Sequence, residues 1–470
     1  MPLKLTLRAL APLFLALMAF APSAFGADLL NALEAAMRSD PQLREAEANL
    51  FAAREAKPQA WSALKPQITG QASTTRSEAT GQSAFTAVGG VPLITIFESR
   101  TLEDRRFSLN ITQTVFRKDQ FIALDSAQAR ILQAEADYRA AELDLLQRVS
   151  QRYFDVLGAQ SDLDAVRTTK EAVARQLEQA ETRFDVGLIA VTDVREAQAA
   201  YDQAVADEIQ SKRSLGTSKE LLREITGEYY EELLAPGDLP LMPPSPASAE
   251  DWVVRAKAEN ATVVSAEYGV DVAHNELRSR RAQHYPTLDL VVQGADNNTN
   301  QRTNSFQLGA PEPGFQPSDS DSRNTSIGLQ LNVPIYSGGF RGSRAKEAVY
   351  LERAAKERLE RAIRETERQT RDSYAGVLSE IARVGALEKA LESSRTALQA
   401  TEAGFEVGTR TTVDVLNARQ DLARARTNYE RSRYVYITNL ITLKLSSGQL
   451  TGDDLAAINQ SLTEPVTELP

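Results

Sequence analysis

The chain repeats itself at a separation of 220 to 221 residues, so any fold read in one half has to serve the other. Pro66 pairs with Pro286, Leu109 with Leu329, Val115 with Ile335, Phe116 with Tyr336 and Phe154 with Tyr374, all 220 apart. Phe184 then pairs with Phe405, Gly187 with Gly408, Asp193 with Asp414 and Gly227 with Gly448, all 221 apart. A period this long rules out a short-repeat solenoid or propeller.

The first 26 residues have the make-up of an export signal. Lys4 and Arg8 precede an uncharged apolar run, Leu10 to Phe25, and Ala24-Phe25-Gly26 offers small residues for cleavage, so the mature chain is expected to begin near Ala27. No later stretch approaches 18 consecutive apolar residues, which excludes a transmembrane helix but not transmembrane β-strands of about 9–11 alternating residues. The chain has no cysteine, so packing and association rather than disulfides must hold an exported protein of this size. Removing Lys4 and Arg8 takes the formal net charge from −11 to −13, which argues against nucleic acid as a partner. With two histidines, His274 and His284, and no cysteine, a zinc or redox site has almost no ligands to draw on. Structural roles are expected for both, and no cofactor or catalytic acid pair stands out.

Within each half the pattern runs helix, strand pair, long helix, return helix. Asp28 to about Lys57 and Trp252 to about Gln283 read as the leading helices, the first with a break or kink at Pro41. Phe107, Leu109, Ile111, Gln113 and Val115 alternate with Ser108, Asn110, Thr112 and Thr114. Ile327, Leu329, Leu331, Val333 and Ile335 alternate likewise with polar neighbours. That is period two, one aliphatic and one polar face. Each follows a second strand candidate, about 66–75 and 286–295, across stretches read as polar loops, 76–105 and 296–324. Asp296, Asp319 and Asp321 lie in the second of these. They offer a Ca²⁺-loop reading against the plain alternative of a solvated loop.

From Arg117 the pattern is helical to Phe184. Leu124, Ile131, Tyr138 and Leu145 are spaced by seven, then the register shifts by four to Val149, Val156 and Leu163. This is a coiled coil with a stutter. Such a helix spans on the order of 100 Å. The second half repeats it from about Gly339 to Phe405. Both helices end at a glycine followed by Thr and Asp: Phe184-Asp185-Val186-Gly187 to Thr192-Asp193, and Phe405-Glu406-Val407-Gly408 to Thr412-Val413-Asp414. Glycine suits a left-handed helix end, and Thr and Asp suit the start of the next. Gly187 and Gly408 therefore mark tight tip turns between antiparallel helices that return to about Gly227 and Gly448. The expected units are 27–230, a Pro-rich linker at 231–250, 251–448, and a tail at 449–470.

Four amphipathic strands cannot close a barrel, and open edges in lipid leave unpaired backbone groups. Two chains give eight strands and a filled plug; three give twelve and a pore. At this point the sequence resembles the TolC family of outer-membrane efflux and secretion channels. The resemblance rests on the duplicated layout, on Leu331-Asn332-Val333-Pro334-Ile335-Tyr336-Ser337-Gly338-Gly339, and on the tip Val407-Gly408-Thr409-Arg410-Thr411 followed by Val413-Asp414-Val415-Leu416. It implies a membrane α+β fold, a homotrimer with a twelve-stranded barrel in outer-membrane lipid and a twelve-helix tunnel in the periplasm of a Gram-negative bacterium. It implies a passive, non-enzymatic conduit, opened by a periplasmic adaptor protein and an inner-membrane transporter of the RND, ABC or MFS type. Carried onto this chain, Arg410 is a latch cation with Thr192 and Asp193 as partners on the neighbouring coil. Asp414 is an acid of the mouth ring and a weak divalent-cation site, and Gln176 and Glu402 form a further inter-coil pair. Phe405 stands where the family's latch has a tyrosine, and Asn417 where the ring has a second acid. Both departures imply a weaker latch and weaker cation block. A soluble periplasmic coiled-coil scaffold is the alternative reading, and the cargo, drug or protein, is left open.

Overall fold

The computed structural model describes residues 27–86, 92–237, 240–307 and 314–465, and the export-signal reading falls outside them. The order is α1 (Leu29–Ser39), α2 (Pro41–Arg54), α3 (Ala56–Ser62), β1 (Gln67–Thr86), β2 (Pro92–Phe116), α4 (Lys118–Asp185) and α5 (Val191–Thr226). Then come β3 (Leu234–Pro236), α6 (Ala249–Glu259), α7 (Ala261–Ala282), β4 (Thr287–Gln307), β5 (Gly314–Asn332), α8 (Phe340–Glu406), α9 (Thr412–Ser446), α10 (Gly452–Gln460) and β6 (Leu462–Pro465). No described helix is long and apolar enough to cross a membrane.

The leading helix of each half is broken. Asp40 ends α1 and caps α2 at φ −62°, ψ 119°; Asn260 ends α6 and caps α7 at φ −64°, ψ 121°. The expectation of one continuous helix in the second half is corrected here, and the reason is local: the Asn260 side chain takes the Thr262 and Val263 N–H groups, so the break needs no proline. Pro58, one residue past the expected helix end at Lys57, lies in the first turn of α3, where a missing N–H costs nothing.

The four long strands form one antiparallel sheet in the order β1-β2-β4-β5. The stretches read as polar loops are mostly strand: Arg76 pairs with Glu103, Thr101 with Arg302, and Asn298 with Asp321. Backbone pairing, indifferent to side-chain polarity, carries the ladder well past the aliphatic segment. The Ca²⁺-loop reading of Asp296, Asp319 and Asp321 fails with the loop, since all three are strand residues and Asp296 is paired with Arg323 at 2.9 Å. In the other direction β5 stops at Asn332, short of the expected Ile335, because Pro334 has no N–H to donate.

The core sits where the helix bundle is thickest. Val149, Tyr153, Phe154, Val156 and Leu157 of α4 meet Leu29, Leu33, Leu222, Ile437, Ile441 and Leu443. Of the heptad positions, Ile131, Leu145, Val149, Val156 and Leu163 are buried and Leu124 and Tyr138 half-buried. The described parts of the linker and tail are structured: β3 pairs with β6, α10 packs on α1, and Tyr436 Oη donates to the Met242 carbonyl at 3.0 Å.

The long helices lie side by side in the order α5–α4–α9–α8, since α4 packs on both α5 and α9, and α9 on α8. Higher up, α7 lies between α4 and α8, whereas α2 and α3 lie against α4 alone among the long helices.

Candidate functional site

Two parts of the molecule carry functional character: the helix-hairpin tips and the sheet. At the first tip, Gly187 (φ 73°) turns the chain out of α4, its N–H bonded to the Phe184 carbonyl at 2.8 Å and that of Leu188 to Arg183 at 2.9 Å. Gly408 (φ 77°) does the same after α8. Asp193 Oδ2 accepts the Ala190 N–H at 3.3 Å. The cap of α5 is therefore Ala190 assisted by Asp193, and Thr192 is an exposed residue of the first turn. At the second tip Asp414 Oδ2 accepts from the Thr411 N–H at 2.8 Å and from Thr411 Oγ1 at 2.9 Å, while the Asp414 N–H returns to Thr411 Oγ1 at 3.2 Å. This capping box, the Thr411 N–H bond foremost, holds the Asp414 carboxyl below the usual carboxylate range, with Arg410 adding to it.

Arg410 folds its stem back over Gly404: a Cβ there would lie 2.8 Å from Arg410 Cγ. Within one chain Arg410 and the Thr192–Asp193 pair are not brought together. Thr192 and Asp193 open α5 at one lateral edge, and Arg410 lies in the hairpin of α8 at the other. Glu402 does not meet Gln176 either. It accepts from Arg419 of α9, Oε1 lying 2.7 Å from Nη2 and 3.1 Å from Nε, and Gln176 Oε1 is buried without a hydrogen-bond partner. Phe405 is 37% exposed beside the turn.

Sequence reasoning missed Arg419 and a stronger node higher up. Glu208 of α5 is buried and takes Lys170 and Lys212, each at 2.7 Å, with Arg167 at 3.8 Å. The bonds from Lys170 and then Lys212 pull its carboxyl down to about 2. The available signal for Glu208 was hairpin symmetry: Arg167 and Lys170 stand before the tip glycine Gly187 at about the distance at which Glu208 follows it.

The sheet has two different faces. Ile68, Ile111, Val292 and Ile327 are cross-strand neighbours on one side, as are Leu290 and Leu329, and Leu288 and Leu331. The other side carries Thr69, Asn110, Gln293 and Ser326 in one row and Gln71, Ser108, Ala295 and Asn324 in the next. The apolar face is bare: Ile68, Leu109, Ile327, Leu329 and Leu331 are all exposed. At its helix end stand the exposed aromatics Trp61, Phe116, Phe121, Tyr285, Tyr336 and Phe340, with Lys118 Nζ 3.9 Å from the Tyr285 ring centre. There Arg117 ties β2 to β4 through Asp289, with Nη2 2.8 Å from Oδ2. His274 lies 3.3 Å from Glu352, and His284 Nδ1 lies 3.2 Å from the Arg281 carbonyl. Among the described residues no group of acids and histidines is placed to hold a metal.

The family model described as "Outer membrane efflux protein" matches residues 32–228 and 252–449. The chain belongs to the outer membrane efflux protein family. The chain is 34% identical to the outer membrane protein TolC of Vibrio cholerae serotype O1, over 97% of this chain and 99% of that one. It is 32% identical to TolC of Escherichia coli strain K12, over 97% and 89%. Among solved structures, the Campylobacter jejuni CmeC outer membrane channel superposes with a TM-score of 0.70 at 16% identity, covering 93% of this chain and 90% of that one. At that identity the likeness speaks for the fold alone.

Proposed function

We propose that three copies of this chain form the outer-membrane exit duct of an efflux or type I secretion system. The observation that carries it is the four-stranded sheet, with one bare aliphatic face, one hydroxyl- and amide-lined face, and unpaired edges at β1 and β5. In lipid each unpaired backbone group costs several kcal/mol, so β5 of one copy must pair with β1 of the next until the ring closes. Three copies give a twelve-stranded barrel with the aliphatic face to lipid and the polar face to water. The exposed aromatics at the helix end of the sheet suit a membrane–water boundary.

The helices support the same closure. The lateral order α5–α4–α9–α8 places α8 beside α5 of the next copy, a head-to-tail contact that builds rings. It also makes the latch an inter-subunit one. Arg410 of one copy then faces Thr192 and Asp193 of its neighbour, Gln176 gains a partner, and Asp414 forms a ring of three carboxylates at the mouth, a weak site for divalent cations. An exposed pair is worth about 0–1 kcal/mol, so three copies make a barrier that an adaptor and an inner-membrane transporter can overcome. The duct itself performs no chemistry and takes no cofactor.

Purified protein in planar lipid bilayers tests this reading. Arg410→Ser combined with Asp193→Ala should raise conductance; a protein that forms no channel even with both changes would refute it. Fractionation separates the scaffold alternative, which would be released with soluble periplasmic protein.

A further inference from the structure

The chain carries within itself a template for the surface between copies, granted the trimeric reading above. In each chain α7 fills the groove between α4 and α8 and runs antiparallel to α4. Ser265 Oγ donates to Asp137 Oδ1 at 2.5 Å, a Cβ on Gly269 would lie 3.6 Å from Gln133 Nε2, and Arg278 Nη1 is 3.2 Å from Asp125 Oδ2. Residues 265, 269 and 278 thus meet 137, 133 and 125. Shifted by the repeat of 220, the same register sets Glu45, Asn49 and Pro58 against Glu357, Arg353 and Ala345. The first three lie on α2 and α3, which have α4 on one side and no α8 on the other; the second three lie on α8, with Arg353 and Glu357 exposed and Ala345 half-buried.

We propose that α8 of one copy receives α2 and α3 of the next in this register, with Arg353 bridging Glu357 of its own helix and Glu45 of the next copy. Chemistry distinguishes this contact from its in-chain counterpart. Where Ser265 donates to Asp137, the shifted positions bring two carboxylates, Glu45 and Glu357, to the same level. A cation must lie close by, and Arg353, one turn away from Glu357, has the donors to serve both. Glu45, Arg353 and Glu357 are exposed, and none has an ion-pair partner among the described residues. The contact joins different surfaces of the two copies, as a closed ring requires.

The absence of cysteine makes the test clean. Under mild oxidation, full-length Glu45→Cys/Glu357→Cys protein should run as covalent dimer and trimer on non-reducing denaturing gels. Each single variant should stay at monomer mass, as should Ser265→Cys/Asp137→Cys, whose link forms within a chain. Separately, Arg353→Glu should raise the concentration at which the trimer half-dissociates at low salt ~3-fold or more, and adding Glu45→Arg should restore it. A trimer by light scattering whose 45/357 double variant stays monomeric overturns this register and leaves the trimeric reading standing. A monomer by light scattering overturns both. Cross-linking with no effect of Arg353→Glu overturns the ion bridge.

Discussion

The Asp40 carboxylate lies against the Arg148 guanidinium, Oδ2 2.8 Å from Nη2 and Oδ1 3.3 Å from Nη1, and the same Oδ2 accepts the Leu43 N–H at 3.0 Å. One side chain both caps α2 and neutralises a cation on α4, which in turn is held by Asp144 at 2.7 Å. Burial pushes the Asp40 carboxyl up; the bonds from Arg148 and Leu43 outweigh it and leave it lowered. Its counterpart Asn260 keeps the cap and carries no charge.

The two positions should therefore respond differently. Asn260→Ala should cost about 1 kcal/mol, the worth of a cap. Asp40→Ala should cost more. Removing one partner of a buried pair costs about 3–5 kcal/mol, less here because Arg148 is 24% exposed. Asp40→Asn, which keeps the cap, should fall between them. Thermal melts in detergent rank the three, and equal losses at both sites would refute the charge role.

Acid should loosen the α4–α5 hairpin at Glu208. Its carboxyl is depressed to about 2 by Lys170 and Lys212. The stability it contributes is complete above its unfolded value, near 4.5, and is lost as pH falls toward about 2. Hydrogen exchange along 160–215 should stay slow down to about pH 4.5 and quicken below it. In Glu208→Gln, Lys170 and Lys212 lose this carboxylate at every pH, so exchange should be faster at neutrality and this acid step should vanish.

Substitutions on the two faces of the sheet should diverge. Ile327→Arg, on the aliphatic face, should cost about 2–4 kcal/mol if that face meets the middle of the bilayer. With three copies closing the barrel as proposed, the trimer yield in outer membranes should collapse. Ser326→Arg, on the neighbouring residue and the opposite face, should assemble normally and change single-channel conductance. Equal tolerance of both would mean that neither face is committed to lipid.

Two left-handed glycines should not be equivalent. A Cβ on Gly448 (φ 74°) would lie 2.4 Å from the Glu259 carbonyl oxygen, a backbone atom that cannot swing aside, whereas one on Gly187 (φ 73°) meets open space. Gly187→Ala should cost only the left-handed strain, about 1–2 kcal/mol. Gly448→Ala should destabilise the fold well beyond that, read as a larger drop in melting temperature.

Where a feature is set by neighbours in the chain, it could be read before folding. Seven-residue spacing along Leu124, Ile131, Tyr138 and Leu145 reflects helical geometry, and a glycine followed by Thr and Asp marks a turn through local hydrogen bonds. Period-two alternation at Ile327–Leu331 marks a strand for the same local reason. The polar continuations of the strands were not legible, because Arg76 or Asn298 is held in the ladder by a partner strand and by nothing in its own periodicity. Arg419 was missed because Glu402 was assigned by resemblance to Gln176, while its partner in the chain is set by the facing helix of its own hairpin.

The sequence by itself determined the two very long helices, the tip glycines and the amphipathic strands, since these follow from spacings within a few turns, and its period of 220 to 221 residues, which is read by setting one half against the other. Only the tertiary structure decided that α4 packs on α9 while α5 and α8 stand at opposite edges, and hence that Arg410 and Asp193 do not meet within one chain. Side-by-side order depends on which surfaces bury one another across hundreds of residues, and no local periodicity records that choice.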